Sequence, residues 1–286
     1  MWSIVHKEYR QRARGVATLG LIMSYTIILG AVAFFVYLGS FAALAARTKS
    51  AGDIGLAMSI ATFIAQMIMA LLLSLSLNAS TIASEKDQET FDLLNLTLFK
   101  SYEIVFGKYL SSTGFLFILV VTALPIYALA FTFGGVSLEA FWQLAAVVAG
   151  MTLFISSIGL FLSLVSDDVR TALGRSFFVL IVLGLVTGIF GTTLVANFNN
   201  QPPNVITYWL GTLSLLLNPL WAAWDVFAPF QLQWQPPQPA VVSFIVNSRL
   251  LWALSAITQV LLALGILLLT TFIYPRFRAS KAGGDS

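Results

Sequence analysis

The amino-acid sequence predicts an all-α integral membrane protein with six transmembrane helices in a single domain over residues 1–286. Hydrophobic residues make up 58% of the chain and charged residues only 9%, whereas a soluble domain has about 25% charged residues. The mean hydropathy is +0.90. Six stretches contain no Asp, Glu, Lys or Arg, and each is long enough as a helix to cross a hydrocarbon layer about 30 Å thick.

Each charge-free stretch predicts a helix because backbone polar groups cannot stay unpaired in hydrocarbon. The predicted transmembrane helices cover 18–45, 56–83, 109–133, 140–165, 176–196 and 250–273. Gly134 and Gly135 predict a tight turn between the third and fourth of these helices, since glycine adopts backbone conformations that other residues avoid.

The positions of the basic residues predict the orientation, because cytoplasmic loops carry an excess of Lys and Arg. With a cytoplasmic N-terminus and six spans, 12 of the 15 bases lie inside. We therefore expect a multi-pass protein of the plasma (inner) membrane with both termini cytoplasmic. The same bases account for the pI near 9.2, so membrane lipids are the expected partners of the basic residues and nucleic acid is not. The 12 are Lys7, Arg10, Arg12, Arg14, Lys86, Lys100, Lys108, Arg170, Arg175, Arg276, Arg278 and Lys281.

Residues 1–16 predict an interfacial helix. Trp2 and Tyr9 recur at helical spacing on one side, and Arg10 and Arg14 point elsewhere, towards anionic headgroups. The alternative is a positively charged flank that anchors the first span and has no mechanical role.

Residues 209–224 are apolar but, at 16 residues, too short for a full span, and Asn218-Pro219 interrupts this part of the predicted re-entrant segment 209–227. Proline removes a backbone donor and favours an extended residue before it. This pattern predicts a re-entrant helical hairpin on the outer side, before the last span. A seventh span there would also place the basic C-terminal tail outside and weaken the charge bias.

The stretch 84–109 is the most polar part of the chain, with five acids and three lysines. Ser84 is a candidate N-cap for an amphipathic helix over 85–100, with Glu85 in its first turn. A second helix is predicted to begin at Ser101, with Glu103 in its first turn, and to continue into the third span. One interpretation is a helix that rests on the bilayer. The other is an apolar knob for a groove on a soluble partner, which five acids favour because the inner leaflet attracts bases.

Uncharged polar residues occur within the spans, where their default role is hydrogen bonding between helices. They include Gln66, Ser74, Ser76, Asn78 and Gln259. The spans contain no Asp, Glu, His or Cys, so neither catalytic residues nor metal ligands are expected in this chain. An ion-coupled secondary transporter usually has an intramembrane carboxylate, and Asp53, Glu139 and Asp225 are predicted at or beyond the outer edge.

The stretch EKDQETFDLLNLTLFKSYEIVFGKY resembles the segment after the second span of ATP-binding-cassette exporter permeases of the second type. Two residues depart from the family pattern: Glu89 stands where glycine is common, and Leu98 stands where proline usually follows Thr97. The basic-aromatic start and the six-span layout extend the resemblance. The matching residues are Glu85, Lys86, Thr90, Phe91, Asp92, Leu93, Leu94, Thr97, Ile104, Val105, Gly107 and Lys108.

The resemblance implies that the helix at 85–100 is a coupling helix that sits in a cleft of a separate ATPase subunit. A second element then leads into the third span through Ile104, Gly107 and Lys108. The chain lacks a GxxxxGK[ST] motif, so ATP and Mg are expected on the partner and no cofactor in this chain. A second permease, identical or homologous, is also implied. The expected ATPase contacts are Glu85, Lys86, Glu89, Thr90, Phe91, Asp92 and Leu94.

The expected function is therefore that of an exporter permease, which is not itself an enzyme. Its substrate is expected to be lipid-like, amphipathic or uncharged, because no charge in the spans would neutralise an ionic ligand. Two alternatives stay open: an ion-coupled secondary transporter, and a membrane anchor subunit of a larger complex.

Overall fold

A computed structural model describes residues 16–45, 50–90, 100–197, 205–227 and 250–282. These residues form helices and turns and contain no strand. The predicted interfacial helix, with Trp2, Tyr9, Arg10 and Arg14, lies outside them, as do Phe91, Asp92 and Leu94. The helices are α1 (Val16–Ala45), α2 (Ala51–Asp87), α3 (Ser101–Thr122), α4 (Leu124–Phe133), α5 (Leu138–Val165), α6 (Val169–Asn197), α7 (Val205–Leu217), α8 (Pro219–Phe227) and α9 (Leu251–Ala282).

Six helical segments of the described chain are long and apolar enough to cross a membrane, with α3 and α4 counted together. The prediction of an all-helical protein with six such helices is confirmed. The helix start at Ser101 is as predicted, whereas other bounds extend beyond the predicted spans: α6 begins at Val169 and α9 continues to Ala282. The predicted bounds follow the charges, whereas a helix continues through charged residues once its ends reach polar surroundings.

The helix α5 is the centre of the bundle, with 67% of its apolar window buried. It packs most extensively against α2 and α9. Glycines allow the close approach: a Cβ on Gly159 would lie 3.1 Å from the Asn78 Cβ of α2, and one on Gly150 would lie 3.0 Å from the Ala256 Cα of α9. By contrast, α1 and α6 bury only 17% and 11% of their apolar windows, so most of their surface faces outward from this chain.

The turn between α4 and α5 consists of Gly134 and Gly135, whose φ angles are 81° and 93°. This is the predicted tight connection. It packs backbone to backbone against the start of α2, because a Cβ on Gly55 would lie 1.9 Å from the Gly134 carbonyl oxygen. We call this end of the bundle the turn end.

The predicted third span is interrupted at Ala123, between α3 and α4. The sequence analysis expected one helix over 109–133. Pro125 stands in the first turn of α4, and a proline within a continuous helix would remove a hydrogen bond and clash with the preceding turn. The Thr122 hydroxyl donates to the Leu119 carbonyl at 2.7 Å, and the Ala123 N–H donates to the Val120 carbonyl at 3.2 Å. These bonds satisfy two of the carbonyls that precede the break.

The apolar stretch before α9 forms two short helices, α7 and α8, with Asn218 between them. A helix, a break and a second helix were predicted at this position, and the break falls at the predicted residues Asn218 and Pro219. That α7 and α8 form a re-entrant hairpin in a membrane stays a prediction.

The end of α2 differs from its prediction. Ser84 is not an N-cap: α2 runs without interruption from Ala51 to Asp87, so Glu85 and Lys86 belong to its last turn. The helix then ends in a Schellman motif. The Thr90 N–H donates to the Glu85 carbonyl at 2.9 Å, and the Glu89 N–H donates to the Lys86 carbonyl at 3.2 Å.

Glu89 occupies the position of this motif that requires a left-handed backbone, with φ 56°. Such a conformation costs a residue with a Cβ about 1–2 kcal/mol, and glycine usually fills the position. The glycine that is common here in the resembled family pattern would relieve this strain.

We predict that Glu89→Gly raises the free energy of unfolding by about 1 kcal/mol relative to Glu89→Ala. The two variants lose the same carboxylate, and only Ala retains a Cβ at this φ. Unfolding equilibria of the purified protein in detergent measure the difference. Equal stability of the two variants would show that the left-handed conformation at residue 89 carries no strain.

Candidate functional site

An ion pair joins the last turn of α2 to the first part of α3. The Lys108 Nζ lies 2.6 Å from the Glu85 Oε1. The side chain of Lys108 is 3% exposed and that of Glu85 is 24% exposed, so the pair is largely removed from water. The two residues are 23 positions apart, and their contact closes the intervening chain, 86–107, into a loop with a fixed base. We call this end of the bundle the ion-pair end.

Lys86 connects the same turn of α2 to the C-terminus of α5. Its Nζ donates to the carbonyls of Leu164 and Ser166, the second at 2.8 Å. A helix leaves its last carbonyls without partners inside the helix, and its C-terminus carries a partial negative charge. A lysine ammonium therefore both satisfies these carbonyls and complements the helix dipole.

Two further contacts anchor the end of α2. The Ser163 hydroxyl of α5 accepts hydrogen bonds from the Ile82 and Ala83 N–H groups, both at 2.9 Å. The Asp87 carboxylate accepts from the Val169 N–H at the start of α6, at 3.1 Å. The last turns of α2 are thus bonded directly to α3, α5 and α6, so a displacement of the 86–107 base acts on three helices.

Asp168 begins α6 beside these contacts. Hydrogen bonds from the Thr171 hydroxyl and from its backbone N–H, the latter at 3.0 Å, hold the pKa of the Asp168 carboxyl below its ordinary value. The carboxylate therefore stays ionised as an N-cap and places a negative charge at the positive end of the α6 dipole.

The predicted site residues divide into three groups. Glu85, Lys86 and Lys108 are brought together at the ion-pair end. Glu89 and Thr90 form the turn that leaves it, and Ile104 and Gly107 are buried in the packing of α3 against its neighbours. Phe91, Asp92 and Leu94, the predicted apolar and acidic contacts of the coupling helix, lie outside the described residues.

The break in the predicted hairpin is fixed by polar contacts to two neighbouring helices. Asn218 donates through Nδ2 to the Thr187 hydroxyl of α6 at 3.1 Å, and its Oδ1 accepts from the Leu220 N–H at 3.0 Å. From α9, the Ser255 hydroxyl donates to the Leu216 carbonyl at 2.8 Å and Gln259 to the Leu217 carbonyl at 3.3 Å. The carbonyls that the helix break leaves without partners are satisfied in this way.

Other polar side chains within the spans also bond between helices. Asn78 of α2 accepts from Ser112 of α3 at 2.5 Å, as expected for a buried amide in such a bundle. The prediction for Ser74 and Ser76 is wrong. Their hydroxyls donate within α2, to the Ala70 and Leu72 carbonyls.

Sequence analysis missed Ser163, Asp87 and the partners of Lys86. The available signal was their position, because a charge or a serine next to an apolar span marks a helix end. Asp225 is 4% exposed in α8, and its position at or beyond the outer edge of the membrane stays a prediction. In the ranges that the structure describes, no three His, Cys, Asp or Glu residues form a group that could hold a metal ion.

No family model and no curated protein matches this chain. The fold defines a class, that of a helical protein whose six long apolar helices are compatible with multiple crossings of a membrane.

We predict that replacing Glu85 and replacing Lys108 lower the free energy of unfolding by different amounts. Glu85→Met leaves the nearly inaccessible Lys108 ammonium without its carboxylate, and should lower the free energy of unfolding by about 3 kcal/mol. Lys108→Met should cost less, because the Glu85 side chain is 24% exposed against 3% for Lys108, and exposure weakens the penalty of an unpaired charge. The double variant should be more stable than Glu85→Met alone, since it leaves no uncompensated charge.

Denaturant unfolding of the purified protein measures these differences, and Lys100→Met is the matched control because Lys100 is exposed. That control should change stability by less than about 0.5 kcal/mol. Additive losses in the double variant would contradict a direct pairing of Glu85 with Lys108.

Proposed function

We propose that this chain is the membrane permease subunit of an ATP-binding-cassette exporter. It would couple ATP hydrolysis on a separate ATPase subunit to the outward movement of a substrate. The observation that carries the proposal is the closure of the 86–107 loop by Glu85 and Lys108, at 2.6 Å. Both residues belong to the stretch that resembles the coupling segment of such permeases.

The contacts at the base of the loop supply a physical route for the coupling. If the loop were not attached to the helices, a force on it would only displace the loop. Because its base is bonded to the helices, the force displaces the base and the helices with it. The ion pair would pass such a displacement to α3, Lys86 would pass it to α5, and Asp87 would pass it to α6. Two-state rearrangements of packed helices respond to displacements of this kind.

The loop also has the chemistry of a protein contact. Its described part presents Glu89 on the surface, and its remaining sequence places Asp92 between Phe91 and Leu93. Apolar anchors surrounded by charges suit a groove on a soluble partner. In the proposed assembly that partner holds ATP and Mg, and two permease chains, identical or homologous, lie above two ATPase subunits.

The proposed substrate is lipid-like, amphipathic or uncharged. The buried polar side chains that connect the described helices at depth, such as Gln66, Asn78 and Gln259, carry no charge. An ionic substrate would need a compensating charge along its path, because an isolated charge in hydrocarbon is costly.

One observation favours the alternative of an ion-coupled secondary transporter. Asp225 is a carboxylic residue with 4% exposure in the last turn of α8. Buried carboxylates of membrane helices often serve ion or proton pathways. Transport that continues without ATP but depends on an ion gradient would support this alternative.

We predict that Phe91→Ala weakens the permease–ATPase complex by about 2 kcal/mol or more, close to a 30-fold rise in the dissociation constant. The ATPase that co-purifies with the unaltered chain is first identified, and its affinity for each variant is then measured with both proteins in lipid nanodiscs. ATP hydrolysis and transport are measured on the same samples in vesicles. Phe91→Ala should hydrolyse ATP with little transport.

Phe34→Ala is the matched control, because Phe34 lies on α1 and is 57% exposed. It should bind the ATPase with unchanged affinity. If Phe91→Ala reaches the membrane, binds the ATPase normally and transports at the normal rate per ATP, the proposed coupling role of this segment is wrong.

A further inference from the structure

A cavity of about 240 Å³ lies between α2, the α3–α4 break and α5. Its walls are apolar and aromatic, with Phe63, Phe141 and Val148 among them. Val121 and Leu124, on either side of the break, are exposed at its rim, as is Trp142 of α5. These are apolar side chains on the outer surface of a candidate membrane span. The cavity therefore opens towards the hydrocarbon side of the bundle.

One amide lines this apolar cavity. Gln66 of α2 is 4% exposed, and its Oε1 accepts a hydrogen bond from the Tyr127 hydroxyl of α4 at 2.5 Å. The amide group carries two N–H donors in addition. The bond from Tyr127 uses neither, and a side-chain hydrogen bond joins Gln66 to the Tyr25 hydroxyl of α1, so one donor remains for an acceptor atom inside the cavity.

A hydroxyl near Gln66 also lacks a partner. Thr62 lies one turn away on the same helix, and its hydroxyl is buried without a hydrogen-bond partner within the described part of the chain. Burying a polar group without a partner is unfavourable, so an unused Gln66 donor at the cavity wall favours an occupant with an acceptor atom.

The cavity also restricts the chemistry of that occupant. No charged side chain lines it, so it offers no compensation for a carboxylate or a phosphate. The mouth faces hydrocarbon, so the molecule must be soluble in a bilayer. Its volume is below the range for a drug-sized ligand, so it holds one end of a longer molecule whose remainder lies against Val121 and Trp142.

We propose that this cavity binds a bilayer-soluble molecule with a single uncharged oxygen, a hydroxyl or a carbonyl, which accepts a hydrogen bond from the Gln66 amide. Apolar walls hold the body of the molecule, and Gln66 selects for the oxygen. The site lies in one chain and requires neither an ATPase nor a second permease, so it does not depend on the proposed exporter function.

The test uses two photoreactive probes that differ in one group, a long-chain alcohol with a diazirine and the same chain without the hydroxyl. The unaltered full-length protein in phosphatidylcholine nanodiscs is irradiated with each probe, and the labelled residues are located by mass spectrometry. We expect labelling within 120–148, with the alcohol about fivefold ahead of the alkane, a ratio that matches one neutral hydrogen bond of about 1 kcal/mol. A matched fatty acid, ionised at neutral pH, should label less than the alcohol.

Variants then distinguish the contribution of the Gln66 amide to labelling from that of the cavity itself. Gln66→Met preserves the size of the side chain and should reduce labelling by the alcohol to the level of the alkane. Ala145→Phe fills the cavity from α5 and should reduce labelling by both probes. Gln143→Leu is the matched control: the Gln143 amide bonds Glu139 at 3.2 Å and does not line the cavity, so the alcohol preference should persist.

Competition on the unaltered protein gives a measurement that does not depend on variant folding. Unlabelled long-chain alcohol should displace the photoreactive alcohol from 120–148, and the unlabelled alkane should not. Equal labelling or equal competition by alcohol and alkane would overturn the proposal and leave only general lipid contact. So would an alcohol preference that survives in a folded Gln66→Met protein, or labelling confined to residues outside this range, as expected if the polar groups bind water alone.

Discussion

The helices of this protein must satisfy their polar groups from within, because the hydrocarbon around an apolar bundle offers no hydrogen bonds. This constraint explains the positions at which polar contacts hold neighbouring helices together. Asn78 and Ser112 connect α2 to α3 at 2.5 Å, and Ser255 and Gln259 of α9 satisfy the carbonyls before the hairpin break. At the ion-pair end, Lys86 and Lys108 point their charges at carbonyls and a carboxylate. Apolar packing alone would allow helices to slide, whereas these contacts define one register.

The same contacts connect the fold to the proposed function. A segment that receives force from a soluble partner needs a stiff attachment to the spans, and four contacts at the end of α2 supply it. The turn end, in contrast, depends on backbone packing of Gly134 and Gly135 against α2. The same constraint bears on the proposed lipid-side site, because Gln66 is a buried amide that lines an otherwise apolar cavity.

Sequence patterns predicted the six long helices, the break at Asn218 and the helix start at Ser101, since charge-free runs, proline and acids near a helix start all act locally. The end of α2 was not predictable in this way. The partners of Lys86 lie 78 and 80 residues away, so nothing near Ser84 indicates that the helix continues. The break at Ala123 had a local signal in Pro125, but a proline is also compatible with a kinked continuous helix in a membrane. The burial of Asp225 depends on the packing of the hairpin, which charge positions alone do not determine.

In the proposed assembly the ion-pair end faces the cytoplasm, where a soluble ATPase would meet it. Cysteine accessibility tests this most directly, because the native chain contains no cysteine. Gln88 is exposed at the ion-pair end and Glu139 is exposed beside the turn end. A membrane-impermeant maleimide applied to intact cells should label Glu139→Cys and should label Gln88→Cys only after the cells are opened. Labelling of Gln88→Cys in intact cells would contradict the orientation and, with it, the proposed coupling to a cytoplasmic ATPase.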